Sequence, residues 1–388
     1  MQGDTIVRIY SLTKIITSAA ALTLIEEGKL GLSHPINEYL PEFNDMRIFV
    51  GGNAQRLELI PAEVPINVHH LFTHTSGFTY GDNEEPLDEF YQTAGLGKAD
   101  SLADLVRMLA TLPLKREPGA MYEYGFSTDI LARLVEVVSG QPFDLFLQQR
   151  ILEPLGMTDT GFRVDAAKLN RLAKVYEHGT NGELQPVKHF EFEVIEGQMK
   201  FPMGGSGLFS TIEDYSRFAQ MLCNGGELNG VRGLSRKAFE QMTVDHLGGK
   251  PVVNRTYREG YGFGLGVAVR INDGLAGTLG TLGSFGWSGN TIRRRTASAQ
   301  PSQKPSNVTT QMIRNSGVGA WPHANQTATA VAGSPVASAM SASRFWNAMF
   351  KRPTPYRPSV RMPSFSSRRY MALRLRPRAS AARLTLPS

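Results

Sequence analysis

Cysteine is almost missing from this sequence. Cys223, in "QMLCNGG", is the single one among 388 residues, so no disulfide can form within the chain. That suits a reducing compartment. Long apolar runs are missing as well. The longest, Ile15 to Ile25, is interrupted by Thr17, Ser18 and Thr23 and flanked by Lys14 and Glu26, too short and too polar to span a bilayer. The opening "MQGDTIVRIY" has neither the basic nor the apolar region of a signal peptide, so a cytoplasmic location is expected. Acidic residues are absent from 291–388, which hold 14 Arg and 2 Lys. The first 290 residues therefore carry the other 25 basic residues against all 35 acidic ones, a net of −10 hidden under the overall +6. An acidic globular body precedes a basic tail.

A chain of this length is long for one core and suggests more than one domain. Helical spacing marks "SLTKIITSAAALTLIEEGKLGL", with Ser11 able to cap the first turn and Gly28 as a stop. The same spacing marks "LADLVRMLATLPL", "STDILARLVEVVSG" up to Gly140, and "PFDLFLQQRILEPLGM". In "TIEDYSRFAQMLCNGGE", Thr211 and the acids Glu213 and Asp214 start a helix that Gly225 and Gly226 end. "GYGFGLGVAVRI" reads as one strand and "GTLGSFGWSG" as a Gly-rich strand edge. After Asn290 the periodicity is lost, with 10 Pro and 14 Ser in 98 residues. Such a segment buries too little apolar surface to offset its ordering entropy and reads as disordered.

Ser11 and Lys14 stand three apart, hence on one face of a helix. A serine hydroxyl becomes a nucleophile when a neighbouring base takes its proton. Free N–H groups at the helix start would stabilise an oxyanion beside it. Spacing alone is weak evidence, because roughly one Ser-x-x-Lys arises by chance in a chain like this. A helix cap followed by a solvated lysine is the plain alternative. No second Ser-x-x-Lys and no Gly-x-Ser-x-Gly elbow competes.

The surrounding blocks add to the case. "RIYSLTKIITSAAALTLIEEGKLGLSHPINEYLPEF", "HHLFTHTSGF", "PGAMYEYGFSTDILARLVEVVSGQPFDLFLQQRILEPLGMTDTGF" and "GGSGLFSTIEDYSRFAQMLCNGGELNGVRGLS" follow one another. From about residue 4 to residue 290 the chain resembles the serine β-lactamase-like superfamily. It is most similar to the family VIII carboxylesterases, which share the fold of class C β-lactamases and D-alanyl-D-alanine carboxypeptidases. The resemblance implies an α/β (α+β) fold of the β-lactamase/transpeptidase type, an antiparallel sheet flanked by helices plus a mainly helical lobe. Residues 1–34 with 205–290 would form the α/β lobe and 35–204 the helical lobe. It implies Ser11 as nucleophile, Lys14 as its helper base and Tyr124 as the tyrosine that protonates the leaving alkoxide and activates water. Without that resemblance Tyr124 would read as a half-buried aromatic at a helix entrance. "WSG", Trp287, Ser288 and Gly289, stands where lactamases carry Lys-Thr-Gly, and the N–H groups of Ser11 and Asn290 would form the oxyanion hole.

Two departures bear on the substrate. Trp287 replaces the lactamase-type lysine that anchors a substrate carboxylate, and Phe126 replaces the asparagine two residues after the tyrosine. Both make the pocket more apolar and favour a neutral ester. The expected function is hydrolysis of short-chain carboxylic esters through an acyl-enzyme on Ser11, with no cofactor and a small-molecule ester as partner. A β-lactamase or D-amino-acid peptidase is the first alternative, a non-catalytic remnant or binding protein the second. His70 and His74 have the i, i+4 spacing of metal ligands, but Leu71 stands where a zincin needs Glu, so no metal is expected. Cys223 reads as inert packing and Ser206 as part of a Gly turn lining the site. The resembled family has a helix and two strands before its serine and further strands after its WSG-like triplet. Neither is legible here, so the sheet is expected to be incomplete at both ends. A truncated start and a frameshift near residue 290 account for that. The alternative, a natural basic extension for nucleic acid or membrane, lacks the aromatic–basic spacing of a stacking platform, so neither partner is expected.

Overall fold

The computed structural model describes residues 2–53, 56–82, 85–178, 183–187, 198–252 and 259–289. Asn290 and the basic tail 291–388 lie outside the described residues.

Strand β1 (Val7–Arg8) leads through a 3-10 turn, Tyr10–Leu12, into helix α1 (Thr13–Glu26). Next come strands β2 (Arg47–Asn53) and β3 (Arg56–Pro61), and helices α2 (Val68–Phe72), α3 (Pro86–Thr93), α4 (Leu102–Ala110) and α5 (Ser127–Ser139). Helix α6 (Phe143–Leu147) runs on into a π-helical turn, Gln148–Leu152. The remaining elements are β4 (Tyr176–His178), β5 (Leu184–Pro186), β6 (Phe209–Ser210), α7 (Ile212–Cys223), β7 (Glu227–Leu228), β8 (Val231–Arg232), α8 (Arg236–Met242), β9 (Tyr261–Phe263), β10 (Ala268–Arg270) and β11 (Phe285–Gly286).

Helix α1 is largely apolar and turns no face to solvent along most of its length: Thr13 through Leu24 are all buried. A helix of that composition belongs inside a core. The small side chains of Ala19, Ala20 and Ala21, none with exposed surface, let it pack closely on α5. Helix α5 in turn packs on α2, α4 and α6, and ends where Gly140 takes the left-handed conformation at φ 71°. This helical core fixes the two ends that carry functional groups, the start of α1 and the start of α5.

Two local expectations need correction. Ser11 does not cap α1, because it lies inside the 3-10 turn and its side chain makes no capping bond. The stretch "GYGFGLGVAVRI" is not one strand but a hairpin. β9 and β10 pair antiparallel, Val269 opposite Gly262, and Gly266 at φ 87° makes the reversal between them. β11 joins the other side of β10, so the sheet order is β11-β10-β9 and "GTLGSFGWSG" does occupy an edge. β1 pairs with β6, Arg8 opposite Phe209, which ties the entry of α1 to the middle of the chain.

A charged cluster sits under the segment that joins α4 to α5. Lys115 is fully buried, with its Nζ 3.4 Å from Glu85, 3.7 Å from Glu123 and 3.8 Å from Asp88. Burial pushes the Glu123 carboxyl up to about 7, and Lys115 only partly offsets it. A carboxyl raised in the folded state binds its proton more tightly there. Its contribution to stability is therefore present at low pH and lost as pH rises from about 4.5 to about 7. Lys115→Met leaves these carboxylates buried without their cation and is expected to cost about 3–5 kcal/mol near neutral pH. The loss should shrink toward pH 5, where Glu123 is protonated. Urea denaturation at pH 5 and pH 8 checks this, and an unchanged midpoint at pH 8 would rule it out.

Candidate active site

The start of α1 is held by hydrogen bonds to the segment 204–208. Thr17 Oγ1 donates to the Gly204 carbonyl at 2.8 Å, the Leu208 N–H donates to Thr13 Oγ1 at 3.1 Å, and the Ile9 N–H donates to the Leu208 carbonyl at 3.0 Å. Tyr10, just before Ser11, takes the left-handed conformation at φ 46°. That is uncommon for a bulky residue, and it turns the chain sharply from β1 into the 3-10 turn.

Three proton-bearing groups converge beside this turn. The Tyr124 hydroxyl donates to Ser11 Oγ at 2.7 Å. Lys14 Nζ lies 3.4 Å from the same oxygen, and also donates to the Gly205 carbonyl at 2.6 Å and the Tyr80 hydroxyl at 3.1 Å. Lys14 is only 2% exposed and its ammonium lies 4.8 Å from the centre of the Tyr124 ring. The Trp287 indole N–H donates to the Tyr124 hydroxyl at 3.3 Å, with the two rings 5.3 Å apart. The Phe263 ring stands edge-on to Trp287 at 5.4 Å. Chemically, a hydroxyl flanked by an amine and a phenol can lose its proton to one and receive it back through the other.

Tyr124 is fixed from behind by His74. The two rings are 4.9 Å apart, and the Gly125 N–H points at His74 Nδ1 at 3.5 Å. His74 Nε2 then carries the hydrogen and meets Thr128 Oγ1 at 3.4 Å. Complete burial, with the Lys14 charge as a second cause, pushes the His74 ring well below the usual imidazole range, so it stays neutral. Gly125 has no room for a side chain, because a Cβ there would lie 2.3 Å from the Phe78 carbonyl oxygen. This close approach brings Tyr124 alongside Phe78 and Thr79.

Ser11, Lys14, Tyr124 and Trp287, all picked out in the sequence, thus meet in one place. Phe126 is buried with its ring 4.6 Å from Tyr80, so it packs behind that tyrosine. Gly289 runs close to the serine turn, where a Cβ would lie 2.8 Å from the Ile9 carbonyl oxygen. Ser288 is half-buried beside it, and Asn290 falls just outside the described residues. Ser206 is half-buried in the turn 204–206 that presents the Gly205 carbonyl. His70 serves α2, its Nδ1 accepting from the Asn67 N–H at 3.2 Å in a capping box. Cys223 closes α7, where burial raises its thiol above the usual range.

Sequence reasoning missed Tyr80, Gly205 and Asp129. Asp129 Oδ1 accepts from the Gly205 N–H at 2.8 Å, and burial raises the carboxyl above its usual range. One signal for it was available: an aspartate on the core-facing side of an apolar helix.

The Beta-lactamase family model matches residues 1–329, past the boundary at 290 that composition suggested. Protein Rv1367c of Mycobacterium tuberculosis is 34% identical over 297 residues, covering 74% of this chain and 73% of its own. Esterase EstB of Burkholderia gladioli is 29% identical over 309 residues, with 74% and 73% covered. The structure of EstCE1, a hydrolase with promiscuous acyltransferase activity, superposes with a TM-score of 0.56 at 26% identity, over 73% of this chain and 74% of that one. Among the described residues no helix is long and apolar enough to cross a membrane. The chain belongs to the Beta-lactamase family, with the β-lactamase/transpeptidase-like fold, and is an enzyme of the serine β-lactamase-like superfamily.

Proposed function

We propose that the protein is a carboxylesterase of the family VIII type that cleaves short-chain, neutral carboxylic esters through an acyl-enzyme on Ser11. The observation that carries this reading is the contact set around Ser11 Oγ: Tyr124 at 2.7 Å, Lys14 at 3.4 Å, and an indole rather than an ammonium at position 287. Lys14 takes the Ser11 proton as Oγ attacks the ester carbonyl. The carbonyl oxygen becomes an oxyanion, held by the backbone N–H groups of Ser11 and Asn290. Tyr124 gives a proton to the departing alkoxide, and Lys14 restores the proton to Tyr124. Water then attacks the acyl carbonyl: Tyr124 takes its proton while passing its own to Lys14, and Lys14 returns a proton to Ser11 Oγ as the adduct collapses to the free acid and the Ser11 hydroxyl.

The aromatic wall of Trp287, Phe263 and Tyr124 offers an acyl group apolar contact and no cation for a carboxylate. Hydrolysis of p-nitrophenyl butyrate is therefore expected to exceed that of a chromogenic cephalosporin by at least about a hundredfold in kcat/KM, the size of discrimination that mismatched polar groups produce. Equal constants would overturn the ester preference. Acyl transfer to an alcohol is the second reading, supported by the likeness to EstCE1. The same acyl-enzyme would be discharged by an alcohol in place of water. Adding a short alcohol to the butyrate assay separates the two, since transfer yields a new ester and hydrolysis only butyrate.

A further inference from the structure

Asp129 is a buried carboxylate that the reaction just described does not use. It lies in the first turn of α5 and has no exposed surface. Its Oδ1 accepts the Gly205 N–H at 2.8 Å, while the carbonyl of the same glycine accepts from Lys14 Nζ at 2.6 Å. One peptide group thus joins the carboxylate to the ammonium. The second oxygen, Oδ2, has the Tyr80 hydroxyl as its polar neighbour, a contact that favours the anion. It faces the Tyr80 hydroxyl across Gly205, where an added Cβ would meet Asp129 Oδ2 at 2.5 Å and the Tyr80 oxygen at 3.0 Å. That hydroxyl is in turn 3.1 Å from Lys14 Nζ. An anion sealed in a core is costly unless hydrogen bonds and a cation compensate it. Lys14 is the cation it faces.

We propose that Asp129 is a positioning residue that sets the pH at which Lys14 becomes available as a base. The inference rests on the reading of Ser11 and Lys14 given above. The groups that face Lys14 are Ser11, Tyr80, Tyr124 and the Gly205 carbonyl, with His74, held neutral, behind Tyr124. The charged and titratable neighbours of Tyr80 are Asp129, Tyr124, Asp82 and Tyr122. Among the described residues no carboxylate is in direct contact with Lys14. The carboxylate across Gly205 therefore favours the ammonium form and delays the onset of activity to higher pH.

The test is the rate of Ser11 labelling by a fluorophosphonate, followed by intact-protein mass spectrometry from pH 4 to pH 9. This readout needs no ester substrate. Asp129→Asn keeps the shape and an oxygen for the Gly205 N–H but removes the charge. The acid limb of its profile should move to lower pH by about one unit or more, as expected when a nearby opposite charge is lost. Well below the wild-type midpoint, labelling should be about tenfold faster than in the wild type, because the neutral fraction changes tenfold per pH unit. An unmoved midpoint overturns the proposal, and so does a loss uniform across pH in a folded variant, which would mark Asp129 as purely structural. Should Asp129→Asn fail to fold, Asp129→Ser carries the same test, since its hydroxyl oxygen can still accept a hydrogen bond while the charge is gone. Its midpoint should also fall, and an unmoved one overturns the proposal. A wild type that is never labelled at Ser11 overturns the nucleophile assignment, and this inference with it.

Discussion

Ser11→Ala is expected to abolish both p-nitrophenyl butyrate hydrolysis and covalent labelling by a fluorophosphonate. The expectation follows from contacts, not from the Ser-x-x-Lys spacing, which chance produces. Ser11 Oγ has a phenol at 2.7 Å and a buried ammonium at 3.4 Å. Four buried serine hydroxyls are engaged elsewhere: Ser76 and Ser127 bond each other at 2.8 Å, Ser210 bonds Thr160 at 2.7 Å, and Ser284 donates to the Thr281 carbonyl at 2.6 Å. Ser11 is half-buried in its turn, so the alanine variant removes one oxygen without opening the core. Its thermal midpoint should stay within a few degrees of wild type. Labelling that survives on a different serine would show that the nucleophile is misassigned.

Tyr124→Phe is expected to lower kcat/KM at least about a hundredfold, the usual contribution of a positioned proton-transfer group. The ring keeps its packing on His74 and Trp287, so the lost hydroxyl is the sole change at the site. Lys14→Ala should lose at least as much activity. It should also be less stable, because the Lys14 side chain fills space at 2% exposure. The comparison separates chemistry from packing. A Tyr124→Phe enzyme within tenfold of wild type would remove the phenol from the proton path and leave Lys14 as sole acid and base.

The helices were legible because apolar spacing and stop signals agree locally. The αL residue Gly140 and the Thr211 cap, which accepts the Asp214 N–H at 3.1 Å, lie where the sequence puts them. The hairpin of β9 and β10 was misread as one strand, because glycines within an alternating apolar run look like a weak strand until one of them reverses the chain. Ser11 was misread as a cap, because a 3-10 turn has no signature distinct from a first helical turn. At the site, residues belonging to recognisable blocks were found and residues acting through tertiary contact were not. Tyr80 reaches Lys14 across 66 residues and Gly205 across 191. Nothing local marks a tyrosine or a glycine carbonyl for that task; only the fold brings them to one amine.

The hydrogen bonds that assemble the site also fix when it can exist. Tyr124 follows Ser11 by 113 residues and Trp287 follows Tyr124 by 163. At a synthesis rate of about 5–20 residues per second, the indole leaves the ribosome roughly 14–55 s after the serine. For that interval a nascent chain carries its serine without the indole whose N–H holds the Tyr124 hydroxyl. If Ser11, Lys14 and Tyr124 carry the reaction as proposed, a chain cut before Trp287 would keep those three groups but lose the hydrogen bond and the ring that orient the phenol. Full activity would thus await completion of the chain as far as β11 and the tryptophan beyond it.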